Sequence, residues 1–211
     1  MVRLSSDPPR TGRRRLPAAQ RRAEIERAAT ELFAERGYAG TGMDDIARQA
    51  GVSAPVVYDH FPSKRELHRH LLEAHFADLQ QIWRTGSAQD GSPEQRMAGA
   101  LSAWFGYVQS HPFAWRMLFR ESTGDPAIAA LHRQVTEASR ATMLPLLARE
   151  IPVPAQLLDM TWEVFRAGLQ GLALWWHEHQ EVPREQVVAA AMNTLWLGFG
   201  RLRDGETWSG P

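Results

Sequence analysis

Residues 41–67 leave the chain few ways to fold. Met43, Ile46, Ala47 and Ala50 mark one face of a helix about two turns long. Gly51 stops it, Val52 returns the backbone to the core, and Ser53 opens a second short helix. Pro55 falls in that helix's first turn, where a missing N–H costs little. Val57 and Phe61 point inward, and Pro62 ends the run. Helices this short are marginal alone, so both must pack on neighbours. The neighbours are legible. Ile25, Ala28, Ala29, Leu32 and Phe33 sit at i, i+3, i+4, i+7 and i+8, one amphipathic stripe ended by Gly37. Thr41 is the expected N-cap of the next helix, with Asp44 three residues on. Ser63 and Glu66 read as a full capping box. Leu67, Leu71, Leu72, Phe76, Leu79 and Trp83 then continue a long helix. The second and third helices, joined by a tight glycine turn, form a helix-turn-helix, whose second helix fits the major groove of DNA.

The rest of the chain also patterns as helix, so the expected class is all-α. Residues 85–93 read as a loop. A helix from Pro93 carries Met97, Leu101, Trp104, Phe105 and Val108, and His111-Pro112 breaks it. A short aromatic helix spans 113–120, a turn 122–126, and a helix about 126–149 should kink at Pro145. Two long helices, near 155–179 and 184–203, close the chain. The expected organisation is a basic arm at 1–17, a helix-turn-helix domain at 18–66, a helical ligand-binding and dimerisation domain at 67–203, and a tail at 204–211.

The formal net charge is zero, which by itself argues against a nucleic-acid partner. The distribution reverses that reading. Residues 1–70 hold 12 Arg and one Lys against five Glu and four Asp, a net +4, so the remainder carries −4. Such asymmetry suits one end held on a polyanion. Residues 1–17 combine prolines with Arg13, Arg14 and Arg15. They cannot bury a core, and they read as a disordered arm for the minor groove or phosphates. The chain contains no cysteine, which excludes disulfides and thiol catalysis and fits a reducing cytoplasm. No signal peptide and no membrane span are expected.

Beyond the helix-turn-helix itself, Thr41, Ile46-Ala47, Ala50-Gly51-Val52-Ser53, Tyr58, His60-Phe61, Ser63-Lys64 and Leu67 together resemble the TetR family of bacterial transcriptional regulators. The resemblance covers roughly residues 20–70. It implies a DNA-binding regulator, normally a repressor. Thr41 would face a phosphate, and Ser53, Ala54 and Val56 would face bases. Tyr58, His60 and Lys64 would bond backbone phosphates. Small apolar groups on the reading helix suit thymine methyls, so specificity would lean on DNA shape.

No catalytic set, phosphate loop or metal motif appears, so neither an enzyme nor a cofactor is expected. His68 and His70, like His177 and His179, diverge on a helix at i, i+2 and read as solvated faces. Eight Trp is a heavy load for 211 residues. Trp104, Phe105, Trp115, Phe119, Met143, Trp162 and Phe165 are candidates for an apolar pocket, with Glu121, Glu163 or Glu178 available to a cationic ligand. The resemblance implies that a small, mostly apolar or aromatic ligand there releases the DNA. Control by a protein partner, or no control, is the alternative. Leu158, Trp162, Phe165, Leu169, Leu172 and Trp176 form a broad stripe on one of the last two helices. One chain is not expected to bury it as well as a pocket, so a homodimer through both helices is expected. Gly168, Gly171, Leu172, Val188, Leu195 and Gly198 would lie at that interface. A twofold would require a near-palindromic operator with reading helices ~34–36 Å apart.

Overall fold

The computed structural model describes residues 17–119 and 126–206, except the side chains of Ser87, Phe119, Ala127, Val135, Ser139 and Glu150. In chain order the helices are α1 (Ala18–Arg36), α2 (Met43–Ala50), α3 (Ala54–His60), α4 (Lys64–Ser87), α5 (Pro93–Ser110), α6 (Pro112–Phe119), α7 (Pro126–Glu150), α8 (Ala155–Glu178) and α9 (Arg184–Ala191). A π-helical stretch, Met192–Trp196, and the short α10 (Gly200–Arg203) follow. Among the described residues there is no strand, as the patterning requires. An N-terminal helix-turn-helix unit is followed by a helical domain. The arm at 1–16, the turn at 120–125 with Glu121, and residues 207–211 lie outside the described residues.

The α1 stripe forms as its spacing predicts: Ile25, Ala28, Ala29, Leu32 and Phe33 are all buried. Each of the larger of these side chains contributes roughly 1.5–3 kcal/mol. Ile25, Ala29, Leu32 and Phe33 share one cluster with Ile46 and Val57 of the next two helices and Leu67, Leu71 and Leu72 of α4, and it runs on to Phe199. Helix α4 is the axle, packing on α1, α5, α6 and α7. Helix α6 also lies against α1, so the helix-turn-helix unit meets the rest of the molecule through two elements.

Three expectations change. Helix α4 runs through residues 85–87, read as loop. A Cβ on Gly86 would lie 2.6 Å from the Cβ of Ala100, so glycine lets α4 and α5 touch, and this contact outweighs its poor helix propensity. As expected, helix α7 runs through Pro145, which removes one backbone bond without ending the helix. The last long helix is irregular: the Leu197 N–H bonds the Met192 carbonyl at 2.9 Å, five residues back. That wider turn accompanies burial of Trp196, with the Arg203 guanidinium 3.8 Å over its ring.

The third change concerns the stripe assigned to a partner. Leu158, Trp162, Phe165, Leu169 and Trp176 are buried within the chain itself, and Leu172 is half-buried against the same cluster. A single chain does cover them, through α5, α7 and α9. Gly168 meets Leu195 of its own chain, its hypothetical Cβ 3.1 Å from a Leu195 methyl. Val188 and Leu195 are half-buried against the chain's own core. The large apolar residues left exposed on this side are instead Met160, Val164, Leu174, Trp175 and Leu197. Gly171 shares their exposure, with open space around it, and Gly198 is exposed too.

Candidate nucleic-acid interface and cavity

The turn between α2 and α3 is set by two backbone bonds. Gly51 adopts φ 67°, ψ 29°, a left-handed conformation that favours glycine. Its N–H reaches the Arg48 carbonyl at 3.2 Å, and the Val52 N–H reaches Ala47 at 3.0 Å. This is the double closure of a Schellman motif. It turns the chain at once into α3. Ser53 occupies the N-cap position, but its hydroxyl makes no capping bond. Ser53, Pro55, Tyr58 and Asp59 are exposed, and Ala54, Val56 and His60 are half-buried. Ala54 and Val56 pack partly against the core. Of the three residues expected to face bases, Ser53 is thus the most open. Asp59 carries no signal as a base reader in the sequence, yet its i+4 spacing from Pro55, with Tyr58 at i+3, places all three outward. Tyr58 is 50% exposed, and its hydroxyl has no partner among the described residues.

Two expected phosphate contacts have internal work. Thr41 is not the N-cap of α2; Gly42 is, and the Asp45 carboxylate accepts its N–H at 3.3 Å. Thr41 is only 2% exposed. Its hydroxyl lies 2.9 Å from the Gly37 carbonyl and 3.2 Å from that of Leu32, and donates its one proton there. It fastens the α1–α2 connection to the end of α1. The Lys64 ammonium donates to the carbonyls of Tyr38 and Thr41, both at 2.9 Å, and sits 4.3 Å over the Tyr38 ring. Two of its three donors therefore hold the start of α4 against the α1–α2 connection, leaving one. Arg65, beside it, is exposed and has no partner among the described residues. The capping box is half complete: the Glu66 N–H donates to Ser63 Oγ at 3.1 Å, while the Glu66 carboxylate pairs with Arg69.

Charge sits unevenly in this unit. Residues 17–70 carry eight cations and eight anions, so the whole +4 of residues 1–70 resides in 1–16. Arg22, at the start of α1, is tied to Glu26 at 2.9 Å and lies 4.4 Å over the Phe61 ring. Arg13, Arg14 and Arg15 lie outside the described residues.

His68 departs from its expected solvated face. It is 3% exposed, edge-on to Phe33 and Tyr38 with ring centroids 4.8 and 5.1 Å away, and 5.7 Å from His132 of α7. Burial, then His132 and Lys64, lowers its pKa to about 3, so it is neutral. It lies where α1, α4 and α7 meet. His70 does lie at the surface, bonding Glu26 at 2.9 Å.

A small apolar cavity, about 50 Å³, opens between α4, α5, α7 and α8. Trp83, Pro93, Met97, Ala100, Leu146 and Leu147 join Met143, Trp162 and Phe165 in its wall, with Arg96 the charged member. Three of the seven expected pocket residues are therefore there. Trp104, Phe105 and Trp115 are buried in the core outside this cavity's wall, stacked edge-to-face at 4.9 and 5.2 Å. The Phe119 side chain lies outside the described residues. Among the described residues, no group of three or more His, Asp or Glu could hold a metal, and no helix is long and apolar enough to cross a membrane.

Comparison with known proteins agrees with this geometry. Residues 25–71 match the family model described as bacterial regulatory proteins, tetR family. The HTH-type transcriptional activator FasR of Mycolicibacterium smegmatis is 30% identical over 194 residues, which cover 89% of this chain and 87% of FasR. A TetR-like transcriptional regulator from Rhodococcus sp. RHA1 superposes with a TM-score of 0.74 at 23% identity, covering 88% of this chain and 99% of that one. FadR from Bacillus subtilis, solved in complex with stearoyl-CoA, superposes at 0.70 with 14% identity, covering 82% and 96%. The helix-turn-helix geometry and the near full-length likeness to FasR agree, and the chain belongs to the TetR family of bacterial transcriptional regulators.

Proposed function

We propose that the chain acts as a homodimer on a near-palindromic DNA operator, and that a small, mostly apolar ligand in the α4–α5–α7–α8 cavity sets its affinity. The observation that carries the reading is the outward face of α3. Ser53 and Tyr58 present hydroxyls with no internal capping or bonding role, while the opposite face is locked into the core. Ser53, Ala54 and Val56 would meet base edges, the latter two through methyl groups at the helix margin. Tyr58, His60, the remaining Lys64 donor and Arg65 would meet phosphates. Thr41 would act indirectly, by fixing the N-terminus of α2 near the backbone. Arg13, Arg14 and Arg15 would supply most of the non-specific attraction, since the excess charge lies with them. The exposed face of Met160, Val164, Gly171, Leu174, Trp175, Gly198 and Leu197 supports a dimer through α8 and the segment after α9. A contiguous apolar face of this kind marks an interaction surface.

Binding to fragmented DNA from the source genome, with sequencing of the retained fragments, tests the DNA reading. A recurrent near-palindrome is expected. Retention without any shared sequence would sink operator recognition.

The regulatory sign has two readings. Repression is the ordinary outcome when such a dimer occupies a promoter. Activation is favoured by the near full-length likeness to FasR, which is named an activator. Transcript levels from the bound promoter, with and without the gene, decide between them. For the ligand, the stearoyl-CoA in B. subtilis FadR supports an apolar chain over a compact aromatic. Ligand control requires unequal affinity for the DNA-competent and incompetent forms. If no apolar compound alters operator affinity, control by a protein partner or constitutive binding replaces this part of the reading.

A further inference from the structure

We infer that Asp59 determines specificity on α3, its carboxylate accepting from the N4 amine of one cytosine in each half-site. This rests on the operator reading above and adds a base identity to it. The aim of the side chain follows from how α3 is anchored. Val57 is fully buried and fixes the rotation of the helix. At ~100° per residue, the positions two before and two after it point almost directly away from the core. These are Pro55 and Asp59, and both are exposed. Helix α3 has seven residues. Its length is about 10 Å at ~1.5 Å per residue, less than the ~12 Å width of the major groove. A helix that enters the groove by this face takes the whole of its outward centre in. Pro55 has no polar side-chain atom, so Asp59 is the polar group at that centre.

From Ser53 to His60 the chain has no Arg, Lys, Asn or Gln, the side chains that pair bidentately with purine edges. A carboxylate accepts and does not donate. The donors in the major groove are cytosine N4 and adenine N6, and adenine sets its N7 acceptor beside N6. That second acceptor repels a carboxylate, so cytosine is the base it suits. With Ala54 and Val56 against thymine methyls, α3 becomes a reader of pyrimidines. The Asp59 carboxylate has no hydrogen bond or ion pair with any described residue, so no internal contact holds it out of the groove. Over any other base it meets acceptors and phosphates with no compensating donor. The same group therefore disfavours unrelated DNA, and specificity is the difference between the two cases.

The test is selection of bound duplexes from a randomised library by the full chain, read by sequencing. The wild type should enrich one near-invariant cytosine in each half-site. Asp59→Ala should lose the preference at that position alone, and Asp59→Asn should move it to adenine, which an amide pairs bidentately. In fluorescence anisotropy, replacing that C·G pair by T·A should weaken the wild type about ten-fold or more, and Asp59→Ala by about two-fold at most. Both variants should melt with the wild type, since Asp59 has no internal partner; this separates lost reading from lost folding. A cytosine preference that survives in Asp59→Ala would overturn the contact. So would an unchanged motif bound more tightly throughout, which would make the carboxylate a repeller of DNA only. A wild-type motif without a fixed cytosine would overturn it and leave operator recognition standing. No motif at all would overturn the operator reading and this contact with it.

Discussion

Tyr58 and Lys64 look alike in the sequence, both polar and both at positions the family uses for phosphate, yet they separate in the structure. Tyr58 has no internal partner, so Tyr58→Phe should leave the melting temperature unchanged. It should weaken operator binding by roughly three- to ten-fold, one hydrogen bond's worth, as read by fluorescence anisotropy. Lys64→Ala removes two bonds to backbone carbonyls and a cation–π contact. It should cost about 1–3 kcal/mol of stability, visible in a urea melt, before DNA is added. Pattern alone could not tell these apart, because a motif records which residue recurs and not which of its donors is already engaged. His68 makes the same point. Its i, i+2 spacing to His70 excluded a chelating pair, but only the packing of α7 against α4 shows that it is buried. Its pKa is depressed in the folded chain to about 3 from 6.5. The unfolded chain therefore binds the extra proton between these values, and stability should fall as pH drops below 6.5. His75 and His132, also lowered by burial, act in the same sense. His68→Leu should flatten the slope of unfolding free energy between pH 5 and 6.5; an unchanged slope would place the titration elsewhere.

At the scale of elements, the sequence declared the first four helices well because their apolar stripes, glycine stops and proline ends agree. It erred where a tertiary contact overruled local chemistry. Thr85-Gly86-Ser87 reads as loop, but Gly86 is the point where α4 touches α5. Gly86→Ala should therefore destabilise the protein by about 1–3 kcal/mol through forced separation of the two helices, although alanine is the better helix former. A gain in melting temperature would show that the contact is slack. The π-helical turn at Met192–Trp196 had no signal at all, because nothing in a 3.6-residue pattern reports one inserted residue. The cavity was half legible: aromatic weight pointed to α8 and Met143, but Trp104, Phe105 and Trp115 turned out to fill the core. Arg96, Met97 and Trp83 carry no pattern that separates a cavity wall from any other helix face.

For the whole molecule, the apolar stripe on α8 was visible in sequence and its destination was not, because a stripe does not say whose core it enters. The exposed face now proposed as the interface is the opposite one. Val164, 58% exposed, is the discriminating position: Val164→Arg should leave the fold intact and shift sedimentation to a monomer, with operator affinity lower by about 100-fold or more once two linked half-sites become one. A Val164→Arg chain that remains dimeric would sink the interface. Deleting residues 1–16 should lower the salt dependence of DNA binding by about 0.9 per phosphate contact removed, since 17–70 is neutral. One further consequence belongs to the chain as a whole. Its single lysine side chain is the one that clasps the α1–α2 connection to α4. Release of that clasp should raise the reactivity of Lys64 toward an amine-acylating reagent. The acylation rate at this one side chain is therefore a clock for opening of the joint, readable by mass spectrometry without any engineered label, and its slowing or quickening by DNA or ligand would report how each loads the same joint.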